Sequence, residues 1–407
     1  MRIRWLSFLV FLVAISGWVS AWADPSKFPE NATFTTLITT PRAIEGLTGD
    51  GVNNLYVGGS GAPGATGCPI WQINLHSPAL KVVGTVTPAV GSCGFSGIAF
   101  DAVGNLYQAD GNAATIYTLK PNATTPPAAT IFATGVPGTN GLAFDRDGNL
   151  WTGDGTTSQG RVWRIPHCAA PPCSATEVFR IQPMNNSIAF GGVVPNPGVG
   201  RANTTIPPAT AQNLVANGIA FDRDGKTMFV IDTARGALWK VEFDSRGNLT
   251  SPTGCDTTFT ANTLCLSNIF IAHPILEGGD GIALDRGGNI WVDANERNAV
   301  AVVTQSKEVL EIFRNPVNAS GLRNSADAAV GNNHILELPT SPFLTGKVFC
   351  TSQSDGERRD NSPRIAGEVN GGATVDGINQ LGKISCMTDE HGHPLELKIP
   401  GLPLPVK

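Results

Sequence analysis

The chain has 407 residues, 41% of them hydrophobic and 15% charged, with 47 Gly, 29 Pro, 8 Cys and a formal charge of −5. No run of Lys or Arg is concentrated enough to form a phosphate footprint, which argues against a nucleic-acid or anionic-membrane partner. Apolar residues suffice for a core, and few runs follow the helical period among so many turn formers, so an all-β fold is expected.

The first residues combine a short basic start, an apolar run and the small-residue pattern Ala21-Trp22-Ala23. They predict a secretory signal over residues 1–23 and an exported protein, periplasmic or extracellular. Loss of Arg2 and Arg4 with that segment takes the net charge to −7. No later stretch is long and apolar enough to span a bilayer. The even cysteine count then favours disulfides over zinc. The cysteines fall into sequential neighbours, Cys68 with Cys93, Cys168 with Cys173, Cys255 with Cys265 and Cys350 with Cys386, although spacing alone does not fix the connectivity. Six sequons begin at Asn31, Asn122, Asn185, Asn203, Asn248 and Asn318; they carry meaning only in a glycosylating host.

After an alternating stretch at 33–39, "TFTTLIT", the chain repeats itself. "EGLTGDGVNNLYVGG" starts at Glu45, "SGIAFDAVGNLYQAD" at Ser96, "NGLAFDRDGNLWTGD" at Asn140, "NGIAFDRDGKTMFVID" at Asn217 and "DGIALDRGGNIWVDA" at Asp280, with a shorter sixth copy, "TSPFLTGKVFCTS", at Thr340. Each copy reads as a hairpin of an apolar strand, an Asp/Gly/Asn turn and a second strand carrying an aromatic residue. Most are followed by another alternating pair, so each unit supplies four short strands, as in a propeller blade. The expectation is a six-bladed β-propeller in one domain over 24–407, closed by pairing of 33–39 with the last blade; a seventh blade inside 152–216 is the alternative. Tyr56, Tyr107, Trp151, Phe229 and Trp291 share one slot and are expected to pack between blades.

In five copies the residue before the Gly stands five places ahead of the turn Asp, and it is Glu45, Ser96, Asn140, Asn217 or Asp280. The shared register puts these side chains at equivalent places around the channel mouth. Four of them carry carboxylate or amide oxygens, the hard donors that Ca²⁺ or Mg²⁺ takes, and two carboxylates with two amides balance a divalent charge. Carboxylates brought together without a cation would repel. The competing reading is that Asn-Gly and Asp-Gly are only turn dipeptides; Glu45 falls outside it.

These residues resemble the SMP-30/gluconolactonase/LRE family, most strongly over 45–56 and 217–293. The resemblance implies a six-bladed propeller whose known members include calcium- or zinc-dependent lactonases and phosphotriester hydrolases. It implies metal ligands at Glu45, Asn217 and Asp280, with Asn140 binding metal or substrate. The Arg and Glu that hold sugar hydroxyls in the family's sugar-lactone hydrolases are replaced here by Gly138 and a residue near Ser158, so the metal set carries over and the sugar set does not.

Other motifs are weaker. "DRDGN" at 145–149 and "DRDG" at 222–225 lack the remaining ligands of a calcium loop and read as hairpin turns. "GGSGAPG" at 58–64 lacks the Lys and helix of a phosphate loop. No GxSxG occurs, and Ser96 has no His or Asp nearby in sequence. His391 and His393 read as solvated, while His273 and His334 are weak candidates for a site role. Residues 183–214, rich in Gly, Pro and Asn, are expected to cross the metal-bearing face as a partial lid.

The functional expectation is a monomeric, metal-dependent hydrolase of a small lactone or related ester. One divalent ion, calcium, is held by Glu45, Asn140, Asn217 and Asp280; Asp280 acts as base or nucleophile, and Asn140 and Ser96 contact substrate. The alternative is a non-catalytic exported propeller that binds a protein or glycan around a structural ion.

Overall fold

The computed structural model describes residues 28–402 apart from 30–31, 158, 183–193, 196–210, 213–215, 277, 296–297, 315–335, 337, 355–373, 376–377 and 380–381. Six four-stranded antiparallel sheets form a six-bladed β-propeller, and the only helical elements among the described residues are two three-residue 3-10 turns. From the axis outward, blade I is Thr48–Gly49, Asn54–Gly58, Cys68–Asn74 and Lys81–Val86; blade II is Phe95–Phe100, Leu106–Asp110, Thr115–Leu119 and Thr130–Thr134. Blade III is Thr139–Phe144, Leu150–Asp154, Arg161–Ile165 and Thr176–Arg180, and blade IV is Ala216–Phe221, Thr227–Asp232, Ala237–Glu242 and Ile269–Ala272. Blade V is Gly279–Leu284, Ile290–Ala294, Ala299–Val303 and Val309–Arg314.

Blade VI closes the ring. Its strands are Pro339–Thr345, Val348–Gln353, Gly382–Thr388 and, outermost, Thr33–Thr40, which pairs antiparallel with Gly382–Thr388 from Thr33 opposite Thr388 to Thr40 opposite Gly382. The alternating stretch near the N-terminus therefore covers what would otherwise be an open sheet edge. Cys350 faces Cys386 across neighbouring strands of this blade and is disulfide-bonded to it. The other bonds are Cys68–Cys93, Cys168–Cys173 and Cys255–Cys265, so all four join sequential cysteines, and such pairing suits an oxidising compartment. No described helix is long and apolar enough to cross a membrane.

The repeat is explained by two local devices. In the turn, Asp145 Oδ1 accepts the backbone N–H of Asp147 and Asn149, while Oδ2 accepts Asn149 Nδ2 at 2.8 Å and Trp151 Nε1 at 2.9 Å. Asp285, Asn289 and Trp291 repeat the pattern, and Asp101 does so with Asn105 and Tyr107. A short carboxylate that folds back on its own turn and pins the following aromatic is what the Asp-x-x-x-Asn-x-Trp/Tyr spacing encodes. The DRDG segments are thus hairpin turns, as expected. Burial still pushes the Asp285 carboxyl above its usual value, against the bonds from Asn289.

The aromatics then join the blades. Tyr56 meets Phe100 of blade II edge-on at 4.8 Å, Tyr107 meets Phe144 of blade III at 5.0 Å, and Trp151 meets Phe221 of blade IV at 5.8 Å. Trp291 packs on Phe349 of blade VI at 5.0 Å. Aromatic contacts of this geometry add to the area they bury. They form the core between sheets, in the packing role expected of that slot.

No seventh blade occurs among the described residues. Blade III uses the chain to Arg180, and blade IV begins at Ala216. Between them only the two-stranded pairing of Val194–Pro195 with Ala211–Gln212 is described, so the expected lid over 183–214 lies almost wholly outside the described residues.

Candidate functional site

The residues that stand before the glycines are placed by a β-bulge. In blade III, Thr139 faces Asp154 and Leu142 faces Thr152, leaving one residue too many on the inner strand at Asn140-Gly141. The same irregularity falls at Ser96-Gly97, Asn217-Gly218 and Asp280-Gly281, and in blade VI at Thr340. An extra residue bends the strand and re-aims its side chain, and bulges of this kind cluster next to active sites.

The glycines are required by close approach. A Cβ on Gly141 would stand 2.8 Å from Asn217 O, and one on Gly218 2.6 Å from Asp280 O. Those on Gly46, Gly97 and Gly281 would run into Ser96 O, Asn140 O and Thr340 O. Each glycine thus lets the next blade's carbonyl reach its Cα, and these approaches run around the axis from Glu45 through Ser96, Asn140, Asn217 and Asp280 to Thr340. Thr340 Oγ1 completes the circle by donating to Glu45 O at 2.8 Å. Ser352 Oγ donates to the same carbonyl.

Three of the expected site residues meet in one cavity. A space of about 60 Å³ on the axis is walled by Asn140, Asn217, Asp280 and Ser341, with the backbone of Gly97, Gly141, Gly218 and Gly281. Asn140, Asn217 and Asp280 are buried, Asn217 to 1% exposure. Asp280 Oδ2 accepts Asn295 Nδ2 at 2.8 Å. Asn217 Nδ2 donates to Thr233 Oγ1 at 3.2 Å, and that hydroxyl donates onward to Gly279 O at 2.6 Å. Because Thr233 gives its only proton to Gly279, it can only accept from Asn217. The amide orientation follows, and Oδ1 is left buried with no hydrogen-bond partner among the described residues. The Asn140 side chain lies over Gly155, whose absent side chain makes room for the amide.

Glu45 and Ser96 are in the ring through their backbones but are not in the wall of this cavity. Glu45 is half-buried between blades I and VI, and Ser96 Oγ donates to Thr139 O of blade III at 2.9 Å. Gly138 has φ +75°, and a Cβ there would run into Asp154 Oδ1, so an arginine at this position would be strained. Position 158 and His334 lie outside the described residues. His273 follows the outermost strand of blade IV, where its Nδ1 accepts Ile275 N at 3.2 Å, far from the axis in the order of strands. His391 and His393 are 71% and 77% exposed on a turn held by Asp389, as expected of solvated residues.

Sequence reasoning missed Thr233, Asn295 and Thr340. The first two follow the second strand of their blades, 16 and 15 residues after their partners. Gly155 and Gly111 occupy that register in blades III and II, so a polar residue there was the available signal.

The donors suit a hard cation: amide and carboxylate oxygens, one of them a buried acceptor without a partner. Among the described residues there is no group of three or more His, Cys, Asp or Glu side chains, so amide oxygens would have to complete any metal shell here.

Comparison with known proteins agrees with the fold. The family model described as SMP-30/Gluconolactonase/LRE-like region matches residues 199–321, which include Asn217 and Asp280. A luciferin-regenerating enzyme is 14% identical with a TM-score of 0.55, over 92% of this chain and 99% of that one. Regucalcin from Agrobacterium tumefaciens, described as a calcium-binding protein, is 16% identical with a TM-score of 0.53, over 93% and 98%. A protein described as a putative gluconolactonase is 14% identical with a TM-score of 0.50, over 94% and 98%. At these identities the structures show the shared fold alone. A comparison with curated proteins finds no match. The resemblance read from the repeats is therefore borne out: the chain is a six-bladed propeller similar to the SMP-30/gluconolactonase/LRE group.

Proposed function

We infer that the protein is a metal-dependent hydrolase of a lactone or related ester, working at the ring end of the channel. The observation that carries this reading is Asn217 Oδ1, buried beside Asp280 and Asn140 around a small polar cavity without a hydrogen-bond donor among the described residues. A buried acceptor left unmatched costs about 1–3 kcal/mol, which a cation would offset. Asn217, Asp280 and Asn140 would hold the ion, with Glu45 completing the set from the blade I side; oxygen-only donors favour calcium. When bound, such an ion supplies a Lewis acid for a carbonyl oxygen.

The chain's own residues divide the remaining work. Asp280 is the candidate general base, its Oδ2 held by Asn295. Asn140, seated over Gly155, orients substrate beside it. Ser96, already donating to Thr139 O, retains acceptor capacity for a substrate hydroxyl. The family match over 199–321 supports a small-molecule substrate, and the disulfides support an exported protein acting in the periplasm or outside the cell.

The test is elemental analysis of the purified protein, followed by a panel of lactones, esters and phosphotriesters with and without chelator. The reading expects about one divalent ion per chain, chelator-sensitive turnover of a lactone or ester, and loss of turnover in a folded Asp280→Asn variant. Full activity of that variant, or turnover indifferent to chelator, would overturn it.

A further inference from the structure

A second cavity occupies the hairpin-turn end of the same channel, below the ring. It holds about 520 Å³, a volume typical of small-molecule sites. One residue from each blade, Leu47, Ile98, Leu142, Ile219, Ile282 and Pro342, lines both this cavity and the small polar one. They make an apolar collar that divides the channel into a polar end and an apolar end.

Below the collar the inner strands present small and apolar side chains, among them Ala99, Ala143, Ala220 and Ala283, none fully buried. Alanine at four blades keeps this width open where larger residues would fill it. Leu402 reaches the wall because the C-terminal stretch is tied across the turn face: Arg286 N donates to Pro400 O, Gly401 N to Gly346 O and Leu402 N to Leu284 O. Among the described residues that line it, charge enters only at the rim, through the turn residues Asp145, Arg146, Asp222 and Arg223. The two carboxylates are committed to their own turns: Asp145 to Asp147 N, Asn149 and Trp151, and Asp222 to the N–H groups of Lys226 and Thr227. Among the described residues the guanidinium groups are not held in this way. The Arg146 stem lies over Gly225 of the next blade, and its ion pair to Asp147 spans 3.7 Å with both side chains about half exposed, 49% and 52%. Arg223 is exposed.

We propose that this end of the channel is a second ligand site, which takes a small amphipathic carboxylate with its aliphatic body below the collar and its head between Arg146 and Arg223. Arginine forks suit a carboxylate, and the unfilled apolar wall suits a chain rather than a polar sugar. The site is independent of the hydrolytic reading, because the collar separates it from Asp280.

Titration calorimetry of the full-length protein with decanoate and with decanol tests it. Saturable 1:1 binding of decanoate is expected, with decanol about tenfold weaker. The double variant Arg146→Ala/Arg223→Ala should bring decanoate down to the affinity of decanol and leave decanol unchanged. Ala220→Leu should weaken both, with Ala143→Leu as a second filler should the first fail to fold. Asp280→Asn should leave both unchanged. Absence of saturable decanoate binding by the native chain, equal affinity for the two probes, or binding indifferent to the arginine pair and to the filling variants would overturn the proposal.

Discussion

Asn295 Nδ2 holds Asp280 Oδ2 at 2.8 Å, from the residue after the second strand of blade V to the bulge on its first. Both side chains are buried, so this bond fixes which way the carboxylate faces. Partners of this kind typically matter 10–100-fold for metal affinity or activity. If the proposed calcium site is right, Asn295→Ala weakens calcium binding, read by calorimetry, by about 10-fold or more. Asn295→Asp, which loses the amide donor but adds a second carboxylate beside the first, should hold calcium better than Asn295→Ala at neutral pH and lose that advantage on acidification. Unchanged calcium affinity in both variants would remove Asn295 from the site.

The Asn217–Thr233–Gly279 relay makes a separate prediction. Thr233→Val keeps the shape but strands Asn217 Nδ2 and Gly279 O, both inside the protein. Each unmatched buried group costs about 1–3 kcal/mol, so a clear drop in the denaturation midpoint is expected. Thr233→Ser should restore it. A native midpoint in the Val variant beside a lowered one in the Ser variant would show that the methyl group, not the hydroxyl, is what matters.

The ring glycines set the spacing of the blades. Gly141→Ala would put a Cβ 2.8 Å from Asn217 O and 2.9 Å from Gly218 Cα, backbone atoms that cannot move without shifting blade IV. Overpacking of this sort costs about 1–3 kcal/mol. The same substitution at Gly148, where φ is +81° but nothing lies near, costs only the backbone term. Thermal unfolding should therefore rank Gly141→Ala below Gly148→Ala, and the reverse order would refute the close-packing account.

These glycines also mark how far the sequence could be read. The repeat, the six blades, the N-terminal closure and the aromatic slot all follow from local patterns: apolar alternation, turn chemistry, and an aromatic two places after the turn Asn. That Asn140, Asn217 and Asp280 share one cavity wall was legible because the bulge keeps one register in blades III, IV and V. Glu45 shares that register but not the cavity wall, since blade I pairs only over Thr48–Gly49 and lacks the bulge that aims the others. Thr233 and Asn295 were missed because their register holds glycine in blades II and III. The second cavity depends on which side chains stay small at a shared axis, and that is visible only once the six strands are assembled.

The Cys350–Cys386 bond inside the ring-closing blade can be tested through the unfolded chain. The bond spans 36 residues within blade VI, the blade that also carries the N-terminal strand. Chain-entropy reasoning assigns such a loop about 3–4 kcal/mol. Cys350→Ser/Cys386→Ser should lower stability by an amount of that order in denaturant titrations. The same pair of substitutions at Cys168 and Cys173, only 5 apart, should cost less.

Asp232 supplies the pH dependence. Its carboxyl is fully buried at the end of the second strand of blade IV, and burial pushes it up to about 6 from 3.8, against the pull of Arg235 and the bonds from Arg235 N and Trp239. Between those values the folded protein binds more protons than the unfolded chain, so stability falls as pH rises through that window and levels off above it. The shift corresponds to on the order of 3 kcal/mol. Asp232→Asn preserves the acceptor for Arg235 N but does not titrate. Relative to this variant, the native protein should lose stability from pH 4 to pH 6 and track it above pH 7. A difference that stays constant across the range, or grows in the native protein's favour as pH rises, would show that the carboxylate is held ionised by Arg235.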